Sequence, residues 1–357
     1  ALPISDLTCI IKNKYGKVEM STSFSSNHNF SKGFFYVADG TFNFYDTEKK
    51  TAYQDCYASL NAGKTLGIGN YDSANIIHSN GKFYLLVGTS TSNRDHFYIV
   101  DAKTLYYENS AVVGANLSGL TILNEQYGLV TGDGIRRIDL KSLNNVRIKN
   151  ERLLCFYNSI IYNGKVLSND TYKDESKVKY YDVNELIAAK EGEAPAVTEL
   201  DIIQKQKINF VLAKDGNVYT LESADNGCNI VKIKNDFTLE KVFANFQPAK
   251  GPYHSSPTIG MVASETENII YLVSTDGAIY KYILGDSDSL KAPFIAAESG
   301  VSITAPLQLN QQSGELYVTY TEERKDESKI VVYSKDGKVL HTVDCGESVP
   351  SQILFNN

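Results

Sequence analysis

The feature that most constrains this chain is a phrase recurring through nearly all of it. An apolar strand, a tight turn and a second apolar strand lead through a polar loop to an aromatic-rich strand that ends near Asp. Self-similarity at about 40–50 residues is the signature of propeller blades, since one such sheet buries its faces only when a neighbour stacks on it. The clearest copy runs from Asn75 to Ser79, turns at Asn80-Gly81, continues through Lys82–Val87 and past Arg94, and returns as His96–Asp101 with a fourth strand near Leu105–Val113. Asn-Gly suits a type I′ hairpin turn, whose two central residues both need positive φ. The same hairpin position returns at Glu125-Gln126, Asn163-Gly164, Asp215-Gly216, Glu267-Asn268 and Ser313-Gly314. The third strand returns at Phe44–Asp46, Arg137–Asp139, Tyr180–Asp182, Ile230–Ile233, Ile279–Tyr282 and Ile330–Tyr333.

With the copy ending at Asp101 there are seven third strands and only six complete hairpins. The first blade therefore lacks an innermost strand, and Val349–Phe355 has the form of a loop and the opening strand of a blade. The expected fold is all-β: a seven-bladed β-propeller of four-stranded antiparallel blades, closed by a C-terminal strand that supplies the inner strand of blade one. Such closure removes exposed sheet edges. Residues 33–357 are read as one propeller domain and residues 1–32 as an N-terminal extension. In that extension Asp6–Asn13 and Lys17–Phe24, around Lys14-Tyr15-Gly16, are expected to pair as a hairpin on the outside; an eighth blade is the alternative. Asn184–Lys190 has helical propensity and predicts a short insertion between the third and fourth strands of blade four.

Composition removes several function classes. Tyr (24) and Phe (15) are abundant and Trp is absent, which fits aromatic-rich strands. Apolar stretches such as Phe83–Val87 fall far short of the roughly 20 residues a membrane-spanning helix needs. The 35 Lys+Arg against 42 Asp+Glu form no basic stripe, so nucleic acid is not expected as a partner. Cys9, Cys56, Cys155, Cys228 and Cys345 are scattered with no CxxC pair, which excludes a zinc knuckle or a thioredoxin-type motif. Buried free thiols are expected; a single Cys9–Cys345 bridge is the alternative, because ring closure brings the chain ends together. No Walker loop or dinucleotide glycine motif occurs, so no cofactor is expected. No signal peptide precedes Ala1, which fits a cytosolic protein or a trimmed mature form.

Residues 34–148 resemble a known family, the secreted or lipid-anchored seven-bladed YncE-like propellers of Bacteroidetes cell surfaces. The resemblance is carried by Phe42–Thr47, then Asn61–Gly67, then Asp72–Asn75 ahead of Asn80–Tyr84. In that family a Tyr-Asp strand, an Asn-Gly-x-x-Leu-Gly segment and an Asp/Ala/Asn loop precede an innermost strand in similar order. It implies a cell-surface protein, lipid-anchored to the outer membrane through an upstream segment, or a periplasmic one. It also implies a TonB-dependent outer-membrane transporter as partner; some members capture cobalamin or related corrinoids.

Propellers bind at the ends of the central channel, through loops that enter the innermost strands and loops that join second to third strands. On that geometry one face collects Tyr71 and Asp72, Arg94, Asn116, Asp133, Tyr172, Gln204 with Lys205, Tyr253 with His254, Asp276, and Glu322 with Arg324. Aromatic faces among hydrogen-bonding groups suit a bulky, amphiphilic small molecule; plain solvated loops are the alternative. The Gly251–Pro257 loop stands out because two prolines restrict it beside an aromatic ring and a ring nitrogen. His254 has no companion at metal-ligand spacing, so no metal site is expected. Ser255 beside His254 lacks a third group and a nucleophile elbow. Asp72, Asp133, Asp276 and Glu322 are the candidates for a glycosidase acid pair, which needs two facing carboxyls. Gly285–Ser289 lacks the calcium-loop spacing and reads as a turn. Asp46, Asp101, Asp139 and Asp182 recur at equivalent positions and read as turn formers. The expectation is a non-enzymatic monomer that captures a corrinoid-like small molecule for the transporter. A protein- or glycan-interaction scaffold is the first alternative and a surface glycosidase or lyase the second.

Overall fold

Two Asn-Gly turns fix the register of the hairpins they close. In the computed structural model Asn80 and Gly81 have φ of 52° and 69°, and Asn163 and Gly164 have 47° and 71°, the left-handed pair a type I′ turn requires. Pairing runs from Ser79↔Lys82 out to Ala74↔Val87, and from Tyr162↔Lys165 out to Ile160↔Leu167. The structure describes residues 9–12, 18–21, 30–63, 66, 74–88, 95–114, 117, 119–132, 134–149, 159–169, 176–193, 195–204, 209–249, 260–322 and 327–356.

Seven antiparallel sheets follow one another as the blades of a β-propeller. Blade two is Ala74–Ser79, Lys82–Val87, Asp95–Asp101 and Tyr107–Gly114; blade three is Gly119–Ile122, Tyr127–Thr131, Ile135–Asp139 and Asn145–Lys149. Blade four is Ile160–Tyr162, Lys165–Asn169, Ser176–Asp182 and Val197–Gln204; blade five is Val211–Leu212, Val218–Ala224, Gly227–Ile233 and Leu239–Phe246. Blade six has strands Met261–Ala263, Ile269–Val273 and Ile279–Ile283, and an isolated bridge from Ile279 to Ile295 stands where the outer strand would run. In blade seven the inner strand is split into Val301–Ile303 and Gln308–Leu309, both paired to Leu316–Glu322, with Ser328–Tyr333 and Val339–Gly346 outside.

Blade one confirms the split repeat. Its inner strand is the C-terminal Pro350–Leu354, paired to Gly33–Ala38, which continues outward to Thr41–Asp46 and Thr51–Tyr53. Aromatic rings seal the seams on both sides of it. Phe34 meets Tyr317 of blade seven at 4.9 Å, and Tyr317 meets Phe355 at 4.9 Å. On the other side Phe35 and Phe42 lie 5.4 and 5.5 Å from Phe83 of blade two. Burying a ring of this kind contributes about 2–3 kcal/mol.

Amide side chains stitch inner strands across seams. Gln352 of blade one donates to the Ile76 carbonyl at 2.7 Å and accepts the Ile76 N–H at 3.3 Å. Asn209 does the same to Met261 of blade six, at 2.5 and 3.1 Å. Gln311 of blade seven donates to the Ala263 carbonyl at 2.9 Å and accepts the Glu265 N–H at 2.9 Å. Inner strands at a seam present backbone groups that no neighbouring strand covers, and a buried group left unpaired costs about 1–3 kcal/mol.

The recurring aspartates close turns. Asp101 accepts the Thr104 N–H at 2.8 Å, Asp46 that of Lys49 at 2.8 Å, Asp139 that of Ser142 at 2.7 Å, and Asp182 that of Asn184 at 2.8 Å. In blade four the turn leads into the helix Val183–Ala188, with Asp182 as its N-cap. Arg137 of blade three donates to the Ile187 carbonyl and, at 3.0 Å, to the Ala189 carbonyl at the helix C-terminus, and packs 5.2 Å from the Tyr127 ring centroid. A cation belongs at that end of a helix, where carbonyls lack intrahelical partners. The insertion is thereby docked on the neighbouring blade.

Near the N-terminus Cys9–Lys12 pairs with Val18–Ser21 as a separate two-stranded sheet. Cys56 and Cys228 are buried free thiols and Cys345 is a half-buried one, so Cys9 and Cys345 are not bridged. Burial pushes the Cys345 thiol up to about 12, far from nucleophilic. Among the described residues no helix is long and apolar enough to cross a membrane.

Two predictions follow from closure and from the turns. Removal of residues 350–357 is expected to abolish cooperative unfolding, and Tyr317→Ala to cost about 3–5 kcal/mol in a denaturant titration; a truncated chain melting like the full one would break the closure account. The Ser142 N–H holds the Asp139 carboxyl below its ordinary 3.8, and the Lys165 ammonium holds Asp182 below 3.8. Their folded-state values being depressed, the stabilisation is complete above 3.8 and is lost as pH falls through those lower values. The double variant Asp139→Asn/Asp182→Asn should therefore melt lower at neutral pH and lose less Tm than the parent between about pH 5 and pH 3; parallel Tm curves would contradict it.

Candidate functional site

Antiparallel connectivity gives the ring two unlike faces. On the lower face first and second strands join through short turns such as 80–81 and 163–164, and third and outer strands through 102–106, 140–144, 234–238 and 334–338. Two longer connections lie there as well, the helix-bearing segment 183–196 and, in blade six, 284–294 with a 3-10 helix at Ser287–Leu290. The upper face, where the chain enters each inner strand, is bordered by the strands flanking 54–73, 88–94, 150–159, 170–175, 205–210 and 247–260. Long connections on a rigid scaffold are where binding groups concentrate.

Of the thirteen residues expected at this face, Gln204, Asp276 and Glu322 are described. Asp276 is exposed in the turn 274–278 between the second and third strands of blade six. Its Oδ1 accepts the Ser274 hydroxyl and, at 3.1 Å, the Ala278 N–H, and these bonds lower its pKa, the Ser274 bond most. Asp276 thus closes its own turn as an ionised carboxylate while standing at the upper mouth. Tyr71, Asp72, Arg94, Asn116, Asp133, Tyr172, Lys205, Tyr253, His254 and Arg324 lie outside the described residues. Asp72 and Asp133 of the candidate acid pair are among them, while Glu322 ends the second strand of blade seven.

Gln204, expected with Lys205 among the loop residues of the binding face, is the buried last residue of the outer strand of blade four, 1% exposed. It belongs to a layer of buried polar side chains just beneath the upper face, with Asp95, Asn169, Thr220, Asn229, Ser274 and Ser328. Asn169 donates to the Gln204 side-chain oxygen at 2.7 Å, and the Gln204 amide donates to the Thr220 hydroxyl and the Leu221 carbonyl, each at 3.0 Å. Thr220 donates to the Asn209 carbonyl at 3.1 Å, and Asn209 clasps Met261. Nothing in the repeat pattern separates these amides and hydroxyls from surface ones; the signal was their place one or two residues from a strand end.

Other polar groups shape the same face. Asn43 accepts the Asp55 N–H at 2.9 Å, and Asp55 caps the helix Cys56–Leu60, so the segment after blade one leaves its sheet along a set path. At the upper end of blade three a Cβ on Gly134 would lie 2.4 Å from the Lys149 carbonyl and 3.0 Å from Arg147 Nε. Glycine there lets the outer strand and its arginine close over the second-to-third connection. Among the described residues no group of three or more His, Cys, Asp or Glu is placed to hold a metal ion.

A ring of seven antiparallel blades, most of them four-stranded, is the seven-bladed β-propeller class. Within that class the chain belongs to the family defined by a domain of unknown function, DUF5074, which matches residues 30–356. It is similar, at 97% identity and a TM-score of 0.90, to a quinonprotein alcohol dehydrogenase-like protein from Bacteroides thetaiotaomicron, over 99% of this chain and 85% of that one. A functionally unknown protein from Desulfotomaculum acetoxidans shares the fold at 12% identity and a TM-score of 0.57, over 91% of this chain and 99% of that one. No curated protein matches the sequence.

Asn209→Ala would leave both backbone groups of Met261 without their side-chain partner. The expected cost is about 1–3 kcal/mol in urea unfolding; an unchanged midpoint would mean that the seam repairs itself.

Proposed function

We propose that this chain is a non-enzymatic capture protein of the cell surface or periplasm. It holds a bulky nutrient, a corrinoid such as cobalamin in the first instance, over its upper mouth for a TonB-dependent outer-membrane transporter. The observation that carries the reading is the inequality of the two faces: mostly short turns and capping aspartates below, beside 183–196 and 284–294, and above them the borders of 54–73, 150–159, 170–175 and 247–260. A stiff ring with most of its long connections on one side has the form of a preorganised seat for a ligand. The aromatic and polar residues that the sequence assigns to those connections, Tyr71, Tyr172, Tyr253 and His254 among them, suit an amphiphilic ligand with many amide groups. The resemblance of residues 34–148 to surface propellers, some of which capture corrinoids, supplies the ligand class and the transporter.

The test is a titration of the purified protein with cobalamin, followed by visible absorbance and by heat, with a ferric siderophore and haem alongside. Saturable sub-micromolar cobalamin binding is expected, and Tyr253→Ala/His254→Ala should weaken it about tenfold or more, or about 1.4 kcal/mol, with Tm unchanged. Binding of none of the three would move the reading to a scaffold for a protein or glycan partner. The 97%-identical relative carries a name that likens it to a quinoprotein alcohol dehydrogenase. Turnover of a primary alcohol with an added quinone and an electron acceptor would overturn the non-enzymatic part.

A further inference from the structure

The strand that closes the ring is held by the walls of the groove it enters. Its backbone pairs with Gly33–Ala38 of blade one, from Phe35↔Leu354 to Ala38↔Pro350. Gln352 clasps the Ile76 backbone of blade two, the Ser351 hydroxyl donates to the Val37 carbonyl at 3.3 Å, and the Asn356 amide donates to the Ala102 carbonyl at 2.7 Å. Leu354 packs in the core between blades one and two, its neighbour Ile353 in the core between blades seven and one, and the Phe355 ring lies against Tyr317, as alternation along a strand requires. These partners belong to blades one, two and seven, and none of them is in the connector that precedes the strand.

That connector is short. The chain passes from the outermost strand of blade seven, which ends at Gly346, to the innermost position of blade one at Pro350 through residues 347–349, where the same passage uses 115–118 between blades two and three and 205–210 between blades four and five. Gly346 turns with φ of 61°, and the Ser348 N–H returns to the Cys345 carbonyl at 3.2 Å, so the passage is a tight turn. Glu347 and Val349 are exposed. A short hinge ahead of a strand whose contacts all lie elsewhere favours exchange of that strand between copies, because opening the hinge costs few contacts and the strand meets identical partners in the second molecule. Closure within one chain has the advantage of an effective concentration on the order of millimolar for a short tether. A second copy competes as its own concentration approaches that value.

We infer that the inner groove of blade one is a strand-recognition site whose second occupant is the Pro350–Asn356 segment of another copy of this chain, exchanged reciprocally about a two-fold axis. Each groove is then filled as in the closed monomer, with the same register, the same Gln352 clasp and the same Phe355–Tyr317 contact. The exchanged pair differs from two monomers in its extended 347–349 connectors. The monomer expected from the sequence is the form at low concentration. The inference stands apart from the capture reading, because it concerns the closing strand and not the loops of the upper mouth.

The test unfolds the full chain in urea, refolds it at about 1 µM and at about 1 mM, either side of the tether's effective concentration, and reads the dimer fraction by sedimentation velocity. Dimer is expected at the higher concentration and monomer at the lower. Deleting Ser348 should raise the dimer fraction at least about threefold, and inserting Gly-Ser-Gly-Ser after Glu347 should lower it by as much. To show which strand is exchanged, Val37→Cys and Gln352→Cys chains are refolded together, since these two residues stand opposite each other in the pairing. A disulfide-linked peptide joining position 37 of one chain to position 352 of the other is expected in the dimer. The double variant Val37→Cys/Gln352→Cys should form the same link within the monomer, which shows that the pair can bridge. A dimer without the inter-chain link, or a parent chain that stays monomeric at about 1 mM, would overturn the inference. If the Ser348 deletion fails to fold, the parent and the lengthened chain decide the outcome.

Discussion

The pairing of Pro350–Leu354 with Gly33–Ala38 is the constraint on which the rest of the structure depends. Every other blade is built from a nearly continuous stretch of chain, whereas blade one exists only when the two ends of the propeller meet. The contact joins residues over three hundred positions apart, so it bears the loop-closure entropy of the ring. It is made secure by what surrounds it: the aromatic seam at Phe34, Tyr317 and Phe355 on one side and the Gln352 clasp on Ile76 on the other. Once closed, no blade presents an unstacked face, and the inner strands keep a common direction around the channel.

That common direction makes the two faces of the ring unlike. Because each blade is antiparallel and each inner strand starts at the same end, the connections divide into two sets, and sequence length has been added mainly to one. The lower set is closed by Asn-Gly turns and aspartate caps, local devices that need little beyond their own residues. Beneath the upper set lies a layer of buried amides and hydroxyls whose bonds cross from blade to blade. A polar layer in that position keeps the strand ends in fixed register, at the cost of demanding that every partner be present.

The blade count, the missing inner strand and its C-terminal replacement were legible because the aromatic, β-branched third strand recurs seven times, with two Asn-Gly hairpin turns and four terminal aspartates as further local signals. The helix at Val183–Ala188 was legible for the same reason: Asn184–Lys190 has helical propensity and follows an N-cap aspartate. Its docking by Arg137 was not, since that bond joins residues about fifty positions apart and an arginine in a strand looks like any solvated one. Nor did the spacing mark Gln204 as buried at the end of its strand, because its partners Asn169, Thr220 and Leu221 come from other strands. A split inner strand in blade seven and an outer edge in blade six reduced to one bridge also escaped the repeat, because both depend on what the neighbouring strand accepts.

The sequence by itself determined how many blades there are, where each turn falls and which end of the chain completes the ring, because those follow from period and turn chemistry within a few residues. Only the tertiary structure decided which polar side chains are structural. Asn169, Gln204, Thr220 and Asn209 acquire their roles from partners in adjacent strands and blades, and burial, which makes their hydrogen bonds obligatory, exists only after the blades have closed around them.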